Sequence, residues 1–104
     1  MLEGRFVAAR AHYDEAVRVL PFEPGLHERL GLAEIYGGAP AAALAAFRAE
    51  RGLRTVWPEA DLRDGQAFAA MGDRTRARAA YERSLAKHPE FSEARDSLAS
   101  LGPR

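Results

Sequence analysis

Across residues 72–89, Ala77, Tyr81, Ser84 and Leu85 fall at i, i+4, i+7 and i+8, while Arg74, Arg78, Glu82 and Lys87 lie largely off that line. This spacing predicts a helix with one buried face, opened by a turn at Gly72 and closed by Pro89. Similar patterns recur upstream. Leu26, Leu30, Ala33 and Tyr36 give an apolar face that stops at Gly37-Gly38, with Pro24 suited to the first helical position. Ala43, Leu44 and Phe47 continue in a helix from about Ala39 to Gly52, with Pro40 tolerable only in its first turn. Leu62, Gly65, Phe68, Ala69 and Met71 mark a helix from Pro58 to the turn at Gly72. Phe6, Ala9, Tyr13, Ala16, Val17 and Leu20 mark one from Arg5, and Ser92 to Leu101 a short last one before Gly102-Pro103. The expected class is all-α, built from antiparallel helix pairs joined by short turns.

The helices repeat. Gly4, Gly38 and Gly72 stand 34 residues apart, as do Ala9, Ala43 and Ala77, and then Tyr13, Phe47 and Tyr81. Pro24 with Pro58 and Gly31 with Gly65 share the interval, and Pro21 with Pro89 and Val17 with Leu85 span two. A glycine inside a helix costs about 1 kcal/mol relative to alanine. Two of them at matched places therefore imply backbones packed too closely for a larger side chain.

On these residues the chain resembles the tetratricopeptide repeat family, whose unit is a helix-turn-helix of about 34 residues. The resemblance pairs Gly31 with Ala43 and Gly65 with Ala77 as facing small residues. It matches the family's large aromatics to Phe68, Tyr13, Phe47 and Tyr81, as fillers of the seam between neighbouring pairs. It implies a right-handed α-solenoid in a single domain: a half repeat over 1–23, full repeats over 24–57 and 58–91, and a capping helix and tail over 92–104. Gly4 then takes the turn glycine's place, with a first helix reduced to Met1-Leu2-Glu3. The chain departs from the family pattern at Glu34, where an aromatic is preferred, at Asp64, and at Thr55 in place of a closing proline.

Composition narrows the chemistry. In 104 residues, 47% hydrophobic, the formal net charge is +0, so no global field draws the chain to nucleic acid or an acidic membrane. With no cysteine there is no disulfide, thiolate nucleophile or cysteine metal site. His12, His27 and His88 are never three or four residues apart, so no helix face offers a paired metal site. Asp14-Glu15 and Glu59 with Asp61 read as solvated or helix-start charges. No nucleophile elbow, phosphate loop or dinucleotide fingerprint occurs. A non-enzyme without cofactor or metal is expected. Arg74, Arg76, Arg78 and Arg83 form the densest basic cluster, but with Asp73 and Glu82 among them and no aromatic ladder they read as a solvated face, which argues against nucleic acid. The start lacks a signal peptide and the apolar runs are too short to span a bilayer, so a soluble cytoplasmic protein is expected.

The resemblance places the partner surface on the inner face lined by first helices. The matching positions are Glu28, Leu32, Ile35 and Tyr36, then Glu59, Leu62, Gln66 and Ala70, then Glu93, Asp96 and Ser100. That lining is acidic and apolar and lacks the Lys, Arg and Asn with which some family members hold a peptide carboxylate. A partner segment with apolar anchors and Lys or Arg is expected, against the alternative that Leu32, Ile35 and Tyr36 only pack on the neighbouring repeat. The rival interaction is self-association. Phe6, Tyr13, Val17 and Leu20 lie on a helix with one flank uncovered, which would dock on a second copy or a larger partner unless a missing helix lies upstream.

Overall fold

The computed structural model describes residues 2–103, and within them every regular element is helical. The six helices are α1 (Leu2–Val19), α2 (Leu26–Tyr36), α3 (Pro40–Leu53), α4 (Ala60–Ala70), α5 (Arg74–Lys87) and α6 (Ser92–Ser100). The chain divides into two compact units, Met1–Val56 and Trp57–Arg104. In the first, α2 packs against both α1 and α3; in the second, α5 packs against both α4 and α6. These contacts are those of a helical repeat.

The pairs α2–α3 and α4–α5 turn back through short connections at matched places. Gly38 (φ +92°) and Gly72 (φ +81°) occupy the left-handed region there, which a side chain would penalise. The helices that follow start differently. Pro40 enters α3 in its first turn, where a missing N–H costs little, whereas the Asp73 side chain accepts from the Arg76 N–H (3.1 Å) and caps α5.

The mid-helix glycines are explained by rings. A Cβ on Gly31 would lie 2.3 Å from Cε1 of Phe47, and one on Gly65 would lie 2.5 Å from Cε1 of Tyr81. Phe47 and Tyr81 are buried, and Ala43 and Ala77 lie one helical turn before them, fully buried on the same faces. The atoms nearest the glycines thus belong to Phe47 and Tyr81 rather than Ala43 and Ala77, and these aromatics pack within their own pair. In the second unit Leu62, Ala77, Tyr81 and Ala94 form a core, joined by Phe68, Leu85, Phe91 and Leu98.

Other expectations need correction. Gly4 lies inside α1, not at a turn; Met1, assigned to the reduced first helix, lies outside the described residues. Pro24 precedes its helix: Gly25, at φ +96°, interrupts the helical path, and α2 starts at Leu26. Pro58 likewise sits in a turn closed by the Ala60 N–H donating to the Trp57 carbonyl (3.1 Å), and α4 starts at Ala60. Asp61 is a first-turn charge of α4, one of the two expected readings, but it is not solvated. It is buried, and its carboxylate takes Lys87 Nζ at 2.8 Å and Arg83 Nε at 3.5 Å, partners supplied by the facing helix of the pair.

Gly25 has no side chain to cap α2, and α3 supplies the acceptor. Both oxygens of the fully buried Glu50 are used: Oε2 accepts from the Gly25 N–H (2.7 Å) and Oε1 from the Glu28 N–H (3.0 Å). A carboxylate at a helix N-terminus meets unsatisfied donors and the positive end of the dipole. Arg54 Nη1 stands 3.7 Å from Glu50 and 3.2 Å from Glu28, so the charge is compensated within the unit.

Candidate functional site

In the second unit, α4 presents Glu59 at its N-cap and Leu62 and Gln66 on following turns, while α6 presents Glu93 in its first turn. The fold brings these residues together. Gln66 Nε2 donates to Glu93 Oε1 at 3.0 Å, and Gln66 Oε1 accepts from Arg63 Nη1 at 3.1 Å. Glu59, Leu62 and Glu93 border a cavity of about 230 Å³, completed by Glu90 and Phe91 from the α5–α6 connection and by Ser92 at the start of α6. Leu62 is core, only 2% exposed, so it forms the floor of this cavity and not a contact that can be altered without disturbing the fold. Asp96 is exposed on α6 and does not border the cavity.

Glu90 and Phe91 were not among the expected residues. The Phe91 ring stacks on His88 with centroids 4.7 Å apart, and His88 Nδ1 lies 3.5 Å from Glu90 Oε1. A signal was present: Trp57 and Phe91 are aromatic residues 34 positions apart, each just ahead of a first helix.

The first unit treats its expected residues differently. Glu28 is half-buried and engaged within its own pair, its N–H on Glu50 and its carboxylate on Arg54. Leu32 and Tyr36 line an apolar cavity of about 270 Å³ between α2 and α1, together with Phe6, Ala9 and Tyr13. Tyr36 stays half-exposed, with its ring 5.1 Å from that of Phe6. Ile35 is half-buried and does not border that cavity. On α1, Phe6, Tyr13 and Val17 are half-buried, whereas Leu20, just beyond its end, is 54% exposed beside Val19 at 63%.

One buried carboxyl stands out on α2. Glu34 is 5% exposed with Oε1 lacking a hydrogen-bond partner and Oε2 3.9 Å from Arg10 Nε. Burial raises its pKa above the ordinary carboxyl value; Arg10 opposes the shift and Asp14 adds to it.

The arginine cluster is not simply a solvated face. Arg74 donates to the Leu101 carbonyl, and Arg78, half-buried, donates to the Gly102 carbonyl at 2.8 Å. Arg76 pairs with Asp73 at 3.5 Å and lies 5.9 Å above the Phe68 ring. The Arg74 and Arg78 guanidiniums fasten the C-terminal turn to α5. Among the described residues no group of three His, Asp or Glu side chains is placed to hold a metal ion, and no helix is long and apolar enough to cross a membrane. No protein-family model, curated protein or solved structure matches the chain.

Proposed function

We propose that the chain is a non-catalytic protein-interaction module of the tetratricopeptide type, a right-handed solenoid that holds a peptide or helix of a partner on its acidic and apolar inner face. The observation that carries the reading is the cavity bordered by Glu59, Leu62 and Glu93. Residues from two successive first-helix positions, chosen by the repeat, meet there around an apolar floor. Polar groups that fix orientation around an apolar base are what peptide grooves share. The acids contribute more to orientation and association rate than to raw affinity.

The test is selection of a displayed random-peptide library on the full chain, repeated with Glu59→Lys. Peptides retained by the wild type and lost by the variant are the expected result. Equal retention by both would remove the groove from the reading.

A second reading rests on a separate observation. Tyr13 is the counterpart of Phe47 and Tyr81, yet it stays half-buried and borders a cavity, with Val19 and Leu20 exposed beyond it. Self-association through α1 would cover this surface. Sedimentation at micromolar concentration tests it, with a dimer that Tyr13→Glu dissociates as the expected outcome.

A further inference from the structure

We infer that the α4–α6 cavity takes one lysine side chain of the partner, and that Glu90 and Phe91 in the α5–α6 connection help to select it. The inference rests on the adaptor reading and narrows it to one side chain. Size comes first. Pockets for small-molecule ligands usually span about 300–1,000 Å³, and this one is about 230 Å³, the scale of a single side chain.

Its lining then decides which side chain. Leu62 and Phe91 offer apolar surface on which an aliphatic stem can lie, while Glu59, Glu90 and Glu93 place carboxylates around it. Among the described residues no arginine or lysine borders the cavity. The basic residues beside it are turned to other tasks: Arg63 donates to Gln66, Arg95 donates to the Pro89 carbonyl, and the His88 ring stacks on Phe91 beside Glu90. Charge complementarity therefore calls for a cation.

The three carboxylates come from three backbone sites: the N-cap of α4, the connection, and the first turn of α6. An ammonium carries three donors on a flexible stem and can meet acceptors that arrive from different directions. A guanidinium's planar fork is matched to one carboxylate at a time. The arrangement favours lysine over arginine.

The experiment uses the full chain and the tightest peptide from the displayed library. Its lysine is replaced in turn by norleucine, which keeps the stem and removes the charge, and by arginine. The expected result is a loss on the order of ten-fold for norleucine and a smaller but measurable loss for arginine. Glu59→Gln and Glu90→Gln should each weaken the lysine peptide and leave the norleucine peptide unchanged, with backbone shifts on binding centred on Phe91 and Ser92. Glu90 is exposed, so its variant folds whatever becomes of the α4 N-cap; Glu23→Gln, at another exposed acid, is the control. Equal affinity for lysine and norleucine, equal affinity for lysine and arginine, or carboxamide variants that weaken both peptides alike would each overturn the inference while leaving the adaptor reading intact. A library from which nothing is retained would overturn both.

Discussion

In the α2–α3 pair Gly31 faces the ring of Phe47, and in the α4–α5 pair Gly65 faces the ring of Tyr81. The apolar seam is thus built twice to one plan, but the polar positions around it are not. Where α3 buries the Glu50 carboxylate to cap α2, α5 carries Ser84 at the same place in the period, buried with its Oγ lacking a hydrogen-bond partner. Where α2 buries Glu34, α4 carries Phe68, packed on the core and under Arg76. Conversely, the second pair buries Asp61 against Lys87 and Arg83, where the first has His27. Close packing tolerates little change in shape, whereas a buried charge needs only some partner within reach. The repeated geometry is therefore steric, whereas the buried polar groups around it differ from one pair to the other.

The sharpest way to break this comparison is at Glu50. Glu50→Ala leaves the N–H groups of Gly25 and Glu28 without their acceptor and Arg54 with one carboxylate fewer. The expected cost is about 3 kcal/mol, with amide exchange accelerated first at the start of α2. Protection lost evenly over α2 and α3 would mean that Glu50 supports the pair as a whole and not one terminus.

The steric half of the comparison predicts near-equal losses in the two pairs. Gly31→Ala and Gly65→Ala gain about 1 kcal/mol of helix propensity but force a methyl group into a buried ring. Each should still be destabilised, by about 1 to 3 kcal/mol, since overpacking outweighs propensity in a filled seam. Denaturant melts of the two variants measure this. Rescue of Gly31→Ala by Phe47→Leu would identify the ring as the obstruction.

The close approach at Gly31 and Gly65 was legible in the sequence because steric demands recur at fixed residue types, and a period of 34 exposes them; the facing group was not, since the sequence pointed to Ala43 and Ala77 where the structure has the rings of Phe47 and Tyr81. The Glu50 cap was not legible. Gly25 and Glu50 are 25 residues apart, and the positions one period from Glu50, Ala16 and Ser84, share none of its chemistry. The same holds for Asp61, whose partners come from the far end of α5. At the candidate site, the repeat pointed to Leu62, Gln66 and Glu93, which sit on regular helices, and to Glu59, which caps one. It passed over Glu90 and Phe91, which sit in a connection whose path the helical pattern does not describe.

Glu34 tests a smaller, pH-dependent difference between the pairs. Its pKa is raised in the folded chain, chiefly by burial, so at pH values between the unfolded and folded pKa the folded state binds more protons than the unfolded state. The associated stability is complete below the ordinary carboxyl pKa and is lost as pH rises through the raised folded value. Between pH ~4 and pH ~7 the wild type should therefore lose more stability than Glu34→Gln. The Phe68 position in the second pair contributes no such slope. Melting curves over that range, with amide exchange followed in α2, measure the effect. A wild type and Glu34→Gln that track each other would mean that Arg10 holds the carboxylate ionised throughout.

The smallest expected effect is at Ser84, and it separates a repeated polar position from a merely tolerated one. Ser84 is fully buried on α5, and its Oγ has no hydrogen-bond partner among the described residues. Ser84→Ala removes a hydroxyl that costs desolvation without returning a bond and replaces it with a better helix former. Its stability change should stay within ~0.5 kcal/mol and fall on the favourable side, against the loss of about 3 kcal/mol expected for Glu50→Ala. Urea melts of the two variants under one condition make the comparison directly. A loss of about 1 kcal/mol or more at Ser84 would show that its hydroxyl is held in solution, as a buried hydrogen bond of ordinary strength is. The two pairs would then both fasten themselves through this position, and their polar groups would follow the repeat as their rings do.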